Sequence, residues 1–77
     1  MLDAVKIGKT ICRLRKERHL TQEVFSGLAA LDRSHYSKIE RGERTPTLET
    51  IFKMAQALEI KPSDLIREIE NDLIETE

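Results

Sequence analysis

Leu20-Thr21-Gln22-Glu23, followed by Arg33-Ser34-His35-Tyr36-Ser37-Lys38-Ile39-Glu40-Arg41-Gly42, is the stretch that decides how this chain folds. Thr21 and Asp32 are both helix-start residues and stand eleven positions apart. Two very short helices must therefore be joined by a tight turn, which is the spacing of a helix-turn-helix over residues 21–42. Thr21 caps a helix over about Gln22–Ala29, with Phe25, Leu28 and Ala29 facing inward and Glu23 in the first turn, where a carboxylate suits the helix dipole. Leu31 plugs the turn. Asp32 caps the next helix, over about Arg33–Arg41, which turns Tyr36 and Ile39 inward and stops at Gly42, a residue free to adopt the left-handed conformation. The apolar pattern leaves Arg33, Ser34, Ser37 and Lys38 on the other side, where they can reach DNA.

Working outward, the apolar residues recur at helical spacing, and no segment alternates as a half-buried strand does. Asp3 is the expected cap of a first helix over about Ala4–Glu17, with Ile7, Ile11 and Leu14 on one face and a basic last turn. Glu43 to Pro46 read as a polar loop. Thr47 caps a helix over Leu48–Leu58 whose apolar face is Leu48, Ile51, Met54, Ala55 and Leu58. Pro62 suits the first turn of a last helix, over about residues 62–74, which carries Leu65, Ile66, Ile69 and Leu73 and frays at Glu75-Thr76-Glu77. The fold class is all-α, a compact five-helix bundle in one domain spanning residues 1–77.

A chain of 77 residues buries only about 60% of the surface its unfolded form exposes, so its core is small and a partner subunit would help it. Phe52 and the row Leu65, Ile66, Ile69 and Leu73 are either plain core or a dimer interface. So long a row on so small a chain favours the interface. The single cysteine, Cys12, cannot form an internal disulfide, which suits a reducing compartment. No stretch approaches the roughly 18 apolar residues of a membrane span, and no signal-peptide run opens the chain. A soluble, cytoplasmic protein is expected.

The net charge of −1 looks wrong for a nucleic-acid binder, but it is unevenly spread. Met1 to Thr45 holds ten Lys or Arg against six Asp or Glu, whereas Pro46 to Glu77 holds three against eight. The acidic half can face away while the basic half faces phosphate. Cys12, His19 and His35 match no metal spacing and lack a fourth ligand, and no cofactor is called for. No nucleophile has a plausible base and no glycine-rich phosphate loop is present, so enzyme activity is not expected.

Thr21-Gln22-Glu23, Ser37-Lys38-Ile39-Glu40-Arg41-Gly42, Pro46-Thr47-Leu48-Glu49-Thr50 and Ala55-Gln56-Ala57-Leu58, in this order, resemble the Cro/repressor (XRE) type of helix-turn-helix DNA-binding domain. The resemblance runs from about Ile7 to Ile66 and implies the lambda-repressor-like five-helix bundle. It implies base-edge contacts from Arg33, Ser34, Ser37 and Lys38. It implies phosphate contacts from Gln22, Arg41, Arg44 and Thr45, with Gln22 also bracing the recognition helix. His35 either touches phosphate or sits exposed. Arg15 and Glu40 match positions where the family forms a partly buried ion pair between the first and third helices. Ala30 stands where the family's turn carries glycine, and Tyr36 where it carries a small aliphatic residue. The Tyr36 ring must fill core space or push its hydroxyl to the surface.

The function so implied is a bacterial or phage transcriptional regulator that binds a palindromic double-stranded DNA operator as a homodimer and controls itself through its own concentration. RNA polymerase and an antagonist protein are further partners such a regulator admits. Asp32-Arg33-Ser34 and Lys61-Pro62-Ser63-Asp64-Leu65 lean toward the controller proteins of restriction-modification systems. The alternative is a protein-interaction module, such as an antitoxin or anti-regulator, with DNA binding secondary.

Overall fold

The structure is a computed structural model that describes residues 2–75. Five helices follow in order: α1 (Ala4–Glu17), α2 (Gln22–Leu28), α3 (Arg33–Glu40), α4 (Leu48–Leu58) and α5 (Pro62–Glu75). Four begin where the sequence places a cap. Asp3 accepts from the Val5 and Lys6 N–H groups, Thr21 from Val24, Asp32 from His35 and Thr47 from Thr50. Each cap satisfies a backbone donor that the first turn would otherwise leave without a partner. The expected fraying at Thr76 and Glu77 lies outside the described residues.

α1 is the axis of the bundle, packing against α3 on one side and α5 on the other, while α2 rests on α3 and α4 on α5. Ile7, Ile11 and Leu14 of α1 meet Phe25, Tyr36, Ile39, Ile51, Met54, Leu58, Leu65 and Ile69 in one continuous core. The Tyr36 ring fills core space, fully buried, with its centroid 5.1 Å from that of Phe25.

Three apolar expectations are corrected by this packing. Leu28 is 59% exposed, because the seven-residue α2 turns Phe25 and Ala29 inward and leaves Leu28 beside Val24 on the outer face. Leu48 is 69% exposed, since it opens α4 before that helix reaches the core. Leu65 and Ile69, expected at a dimer interface, are 0% and 7% exposed, because α5 lies along α1 and buries them within the chain itself. Leu73 also packs against the core. Helices α2 and α3 each stop one residue early, with Ala29 and Arg41 as caps.

Four helices end in the same left-handed turn, and only one uses glycine. His19 (φ 57°), Ala30 (φ 55°) and Glu59 (φ 60°) share the conformation of Gly42 (φ 79°). In the turn between α2 and α3 the Leu31 N–H donates to the Ser26 carbonyl at 2.8 Å, which closes the helix end around Ala30. A side chain with a Cβ pays about 1–2 kcal/mol there, against about 0.5–1 kcal/mol of extra chain entropy for glycine. Ala30→Gly is therefore expected to stabilise the domain by up to about 1 kcal/mol, read as a melting temperature raised by roughly 4–8 °C. An unchanged or lowered melting temperature would show that the turn carries no such strain.

Candidate nucleic-acid interface

α3 presents two sides with opposite jobs. Tyr36, Ile39 and Glu40 turn into the body, whereas Arg33, Ser34 and His35 are exposed and Ser37 and Lys38 half-buried. Residues 33, 34, 37, 38 and 41 recur at i, i+1, i+4, i+5 and i+8, so they line one outward stripe of the helix. Arg44 and Thr45 follow on the exposed loop after it. The structure thus sets Arg33, Ser34, Ser37, Lys38 and Arg41 along one stripe, with Arg44 and Thr45 exposed just beyond it, while His35 is exposed off that stripe and Gln22 faces the protein.

Gln22 points toward the protein, where its amide donates to Glu40 Oε1 at 2.9 Å. Glu40 is the centre of a buried polar knot. Arg15 Nε donates to Glu40 Oε2 at 2.6 Å and its Nη2 to Oε1 at 3.2 Å, a two-pronged pair in which the side chains are 8% and 5% exposed. The Tyr36 hydroxyl donates to the same carboxylate, which answers the question its size poses: the ring is core and the hydroxyl is satisfied inside. Arg15 also donates to the Leu20 carbonyl at 2.6 Å, tying in the chain just before α2. One carboxylate at the end of α3 thereby fixes that helix to α1, to the start of α2 and to its own preceding turn.

The electrostatics agree with the geometry. Burial alone pushes the Glu40 carboxyl up, but hydrogen bonds from Arg15, Tyr36 and Gln22 outweigh it and hold the group below its ordinary value. The Arg15 guanidinium is pushed up by its hydrogen bonds to Glu40, and the Tyr36 phenol is pushed up by burial and by the same carboxylate. At neutral pH Arg15 and Glu40 are therefore both charged, while the Tyr36 hydroxyl keeps its proton and donates it to the carboxylate. Among the described residues, no buried side-chain nitrogen or oxygen lacks a hydrogen-bond partner.

The backbone makes room for this attachment. A Cβ on Gly8 of α1 would stand 2.5 Å from the carbonyl oxygens of both Ile39 and Glu40. A Cβ on Gly42 would stand 2.7 Å from the Val5 Cα. The C-terminal end of α3 therefore lies directly on the α1 backbone. Sequence reading assigns Gly8 no role, and the only local hint is a glycine inside a helix, where it weakens the helix unless close packing needs it.

The basic half of the chain is less free than its composition suggests. Arg13 is held by Glu17, Glu68 and Asp72, Arg15 by Glu40, and Arg18 donates to the Leu14 and Leu58 carbonyls. Those cations hold the bundle together. Arg33, Lys38, Arg41 and Arg44 carry the charge of the α3 surface. Arg41 is itself engaged: its Nε donates to Glu43 at 2.6 Å and its Nη1 to Ser37 Oγ at 2.6 Å. Among the described residues no cluster of His, Cys, Asp and Glu could hold a metal ion, and no helix is long and apolar enough to cross a membrane.

The chain has relatives among known proteins. The sequence pattern of the helix-turn-helix family HTH_3 matches residues 13–65. Control protein C.MunI of a Mycoplasma species is 38% identical over 69 residues, covering 88% of this chain and 93% of that one. The restriction-modification controller protein C.AhdI of Aeromonas hydrophila superimposes with a TM-score of 0.78 at 43% identity, covering 82% of this chain and 96% of its own. The controller protein C.Esp1396I, solved as a tetramer on its natural 35 base-pair operator, shares the fold at a TM-score of 0.84 and 24% identity, covering 96% of this chain and 97% of that one. The chain belongs to the HTH_3 helix-turn-helix family of transcriptional regulators.

Proposed function

We infer that this regulator binds a palindromic operator as a homodimer, with α3 in the major groove, and controls transcription from it in the manner of a controller protein. The observation that carries the reading is the division of α3. Its inner side is locked through Glu40, while Arg33, Ser34, Ser37 and Lys38 stand outward along one stripe. A rigidly held helix with polar outward residues can present donors to base edges at fixed register. Arg33 and Lys38 can each donate to guanine O6 and N7, and the exposed Arg44, Thr45 and His35 would meet phosphate, which positions without specifying. The likeness to C.MunI and C.AhdI supports a regulator of this kind.

Arg33→Ala and Lys38→Ala are expected to leave helix content unchanged and to lower discrimination between operator and random DNA by about tenfold or more each, as the loss of a two-pronged base contact does. Competition binding on the two duplexes measures it. Operator affinity and preference retained in both variants would sink the assignment.

Dimerisation rests on the apolar surface left over once Leu65 and Ile69 are inside. Leu48 and Phe52, four residues apart on α4, stand exposed together with Ile66 of α5. Phe52 is 54% and Ile66 45% exposed, surface that a small domain gains by covering. A two-fold pairing through α4 and α5 would set two α3 helices one DNA turn apart, about 34 Å. Phe52→Asp is expected to convert a dimer to a folded monomer in sedimentation velocity. A variant that sediments as the wild type does would remove Phe52 from the interface.

A further inference from the structure

Glu43 is an acidic residue set among the cations of the α3 surface, and neither helix capping nor the core needs its side chain. Its backbone closes the end of α3, the Glu43 N–H donating to the Lys38 carbonyl at 2.9 Å, which sets the side chain off from the end of that helix. Both members of the Arg41–Glu43 pair are about half exposed, so neither is buried for the sake of the fold. The Arg41 guanidinium bridges the Glu43 carboxylate and Ser37 Oγ, each at 2.6 Å. Arg41, with Lys38 and Arg44 adding to the positive field, holds the Glu43 carboxyl below its ordinary value.

A carboxylate and a phosphodiester are both anions that accept from a guanidinium in the same geometry. Glu43 therefore offers Arg41, within the chain, what a DNA phosphate would offer it from outside. We propose that Glu43 is an internal competitor for Arg41 that sets the strength of DNA binding, being displaced from the guanidinium when a backbone phosphate takes its place. The proposal rests on the DNA-binding reading above and adds a residue that opposes it. Because the contact at stake is to phosphate, Glu43 governs affinity without altering sequence preference.

The test is Glu43→Gln, measured by fluorescence anisotropy across a salt series. The probes are a duplex selected from a random pool by the wild-type protein and an unselected duplex of equal length. Exposed ion pairs are weak, so the expected gain is modest: binding to both duplexes roughly three- to fivefold tighter at low salt. The Arg41–phosphate contact forms in both proteins, but the variant leaves no displaced carboxylate to take up a cation again, so the slope of log affinity against log salt also steepens, by about 0.9 at most. The gain is expected to vanish when Arg41→Ala is the background. Unchanged affinity and slope, weaker binding, or a gain that survives in the Arg41→Ala background would each overturn the proposal while leaving the DNA-binding reading in place. A folded wild-type protein that bound neither duplex would overturn that reading and this one together.

Discussion

Glu40→Ala is expected to leave the chain largely unfolded at neutral pH. The substitution removes the acceptor shared by Arg15, Tyr36 and Gln22, and leaves a guanidinium that is only 8% exposed without its counter-ion. Breaking one side of a buried pair costs about 3–5 kcal/mol, and native domains have only about 5–15 kcal/mol in all. A 77-residue chain stands at the low end of that range, so the loss is comparable to its whole stability. Glu40→Gln keeps an acceptor for Arg15 but loses the charge, and is expected to fold with reduced stability. Circular dichroism and urea unfolding separate the two variants. An alanine variant with wild-type stability would mean that Glu40 does not hold α3 to the body.

The same carboxylate gives stability a pH dependence of definite sign. Its pKa is lower in the folded chain than the ordinary 4.5, so its contribution is fully present above about pH 4.5 and is lost as the pH falls below it. Asp72, held down by Thr10 and Arg13, acts in the same direction more weakly because it is more exposed. Glu40→Gln is expected to flatten the acid limb of the stability curve.

Gly8→Ala is expected to destabilise the chain, although helix propensity and packing act on it with opposite signs. Helix propensity alone makes alanine in α1 better than glycine by about 1 kcal/mol. Packing says the reverse, because the new Cβ would lie 2.5 Å from two carbonyl oxygens and 2.9 Å from the Glu40 carbonyl carbon. These are backbone atoms that cannot swing aside, so α3 must move off α1. Overpacking of this kind costs about 1–3 kcal/mol, which exceeds the propensity gain. The expected result is a less stable chain whose recognition helix is displaced, with DNA affinity reduced even where the chain remains folded.

Gly27→Ala supplies the contrast. A Cβ at Gly27 in α2 meets nothing within 4 Å, so propensity acts unopposed and a gain of about 1 kcal/mol is expected. Thermal unfolding of both variants checks the pair. Stabilisation by Gly8→Ala would show that the α1 and α3 backbones do not meet at Gly8.

Local signals explain why much of the bundle is legible from residues alone. Asp3, Thr21, Asp32 and Thr47 cap helices because each offers a short oxygen acceptor to the first turn, and no distant residue need agree. Gly42 is read correctly for the same reason. The Arg15–Glu40 pair is reached only through the resemblance, since nothing in the spacing of two residues 25 apart says that they touch.

What escapes sequence reading depends on the partner of each face. Periodicity cannot decide between Leu28 and Ala29 in a helix of seven residues, where one turn sets the inward side. It cannot say whether the apolar row of α5 meets its own chain or another, and α1 settles that for Leu65 and Ile69. The left-handed ends at His19 and Glu59 carry no glycine to announce them. Gly8 matters only because α3 crosses it. At the surface, Arg41 is legible as a cation, but its engagement by Glu43 and Ser37 belongs to side-chain geometry.

The outward stripe of α3 is proposed to read a specific DNA sequence. That is tested most directly by a gel-shift titration on DNA from upstream of the protein's own coding sequence, with excess nonspecific competitor and at two salt concentrations. The expected result is a shift at submicromolar protein that survives the competitor and weakens steeply with salt, as specific binding through several phosphate contacts does. A folded protein that gave no shift, or a shift that the competitor abolished, would contradict it.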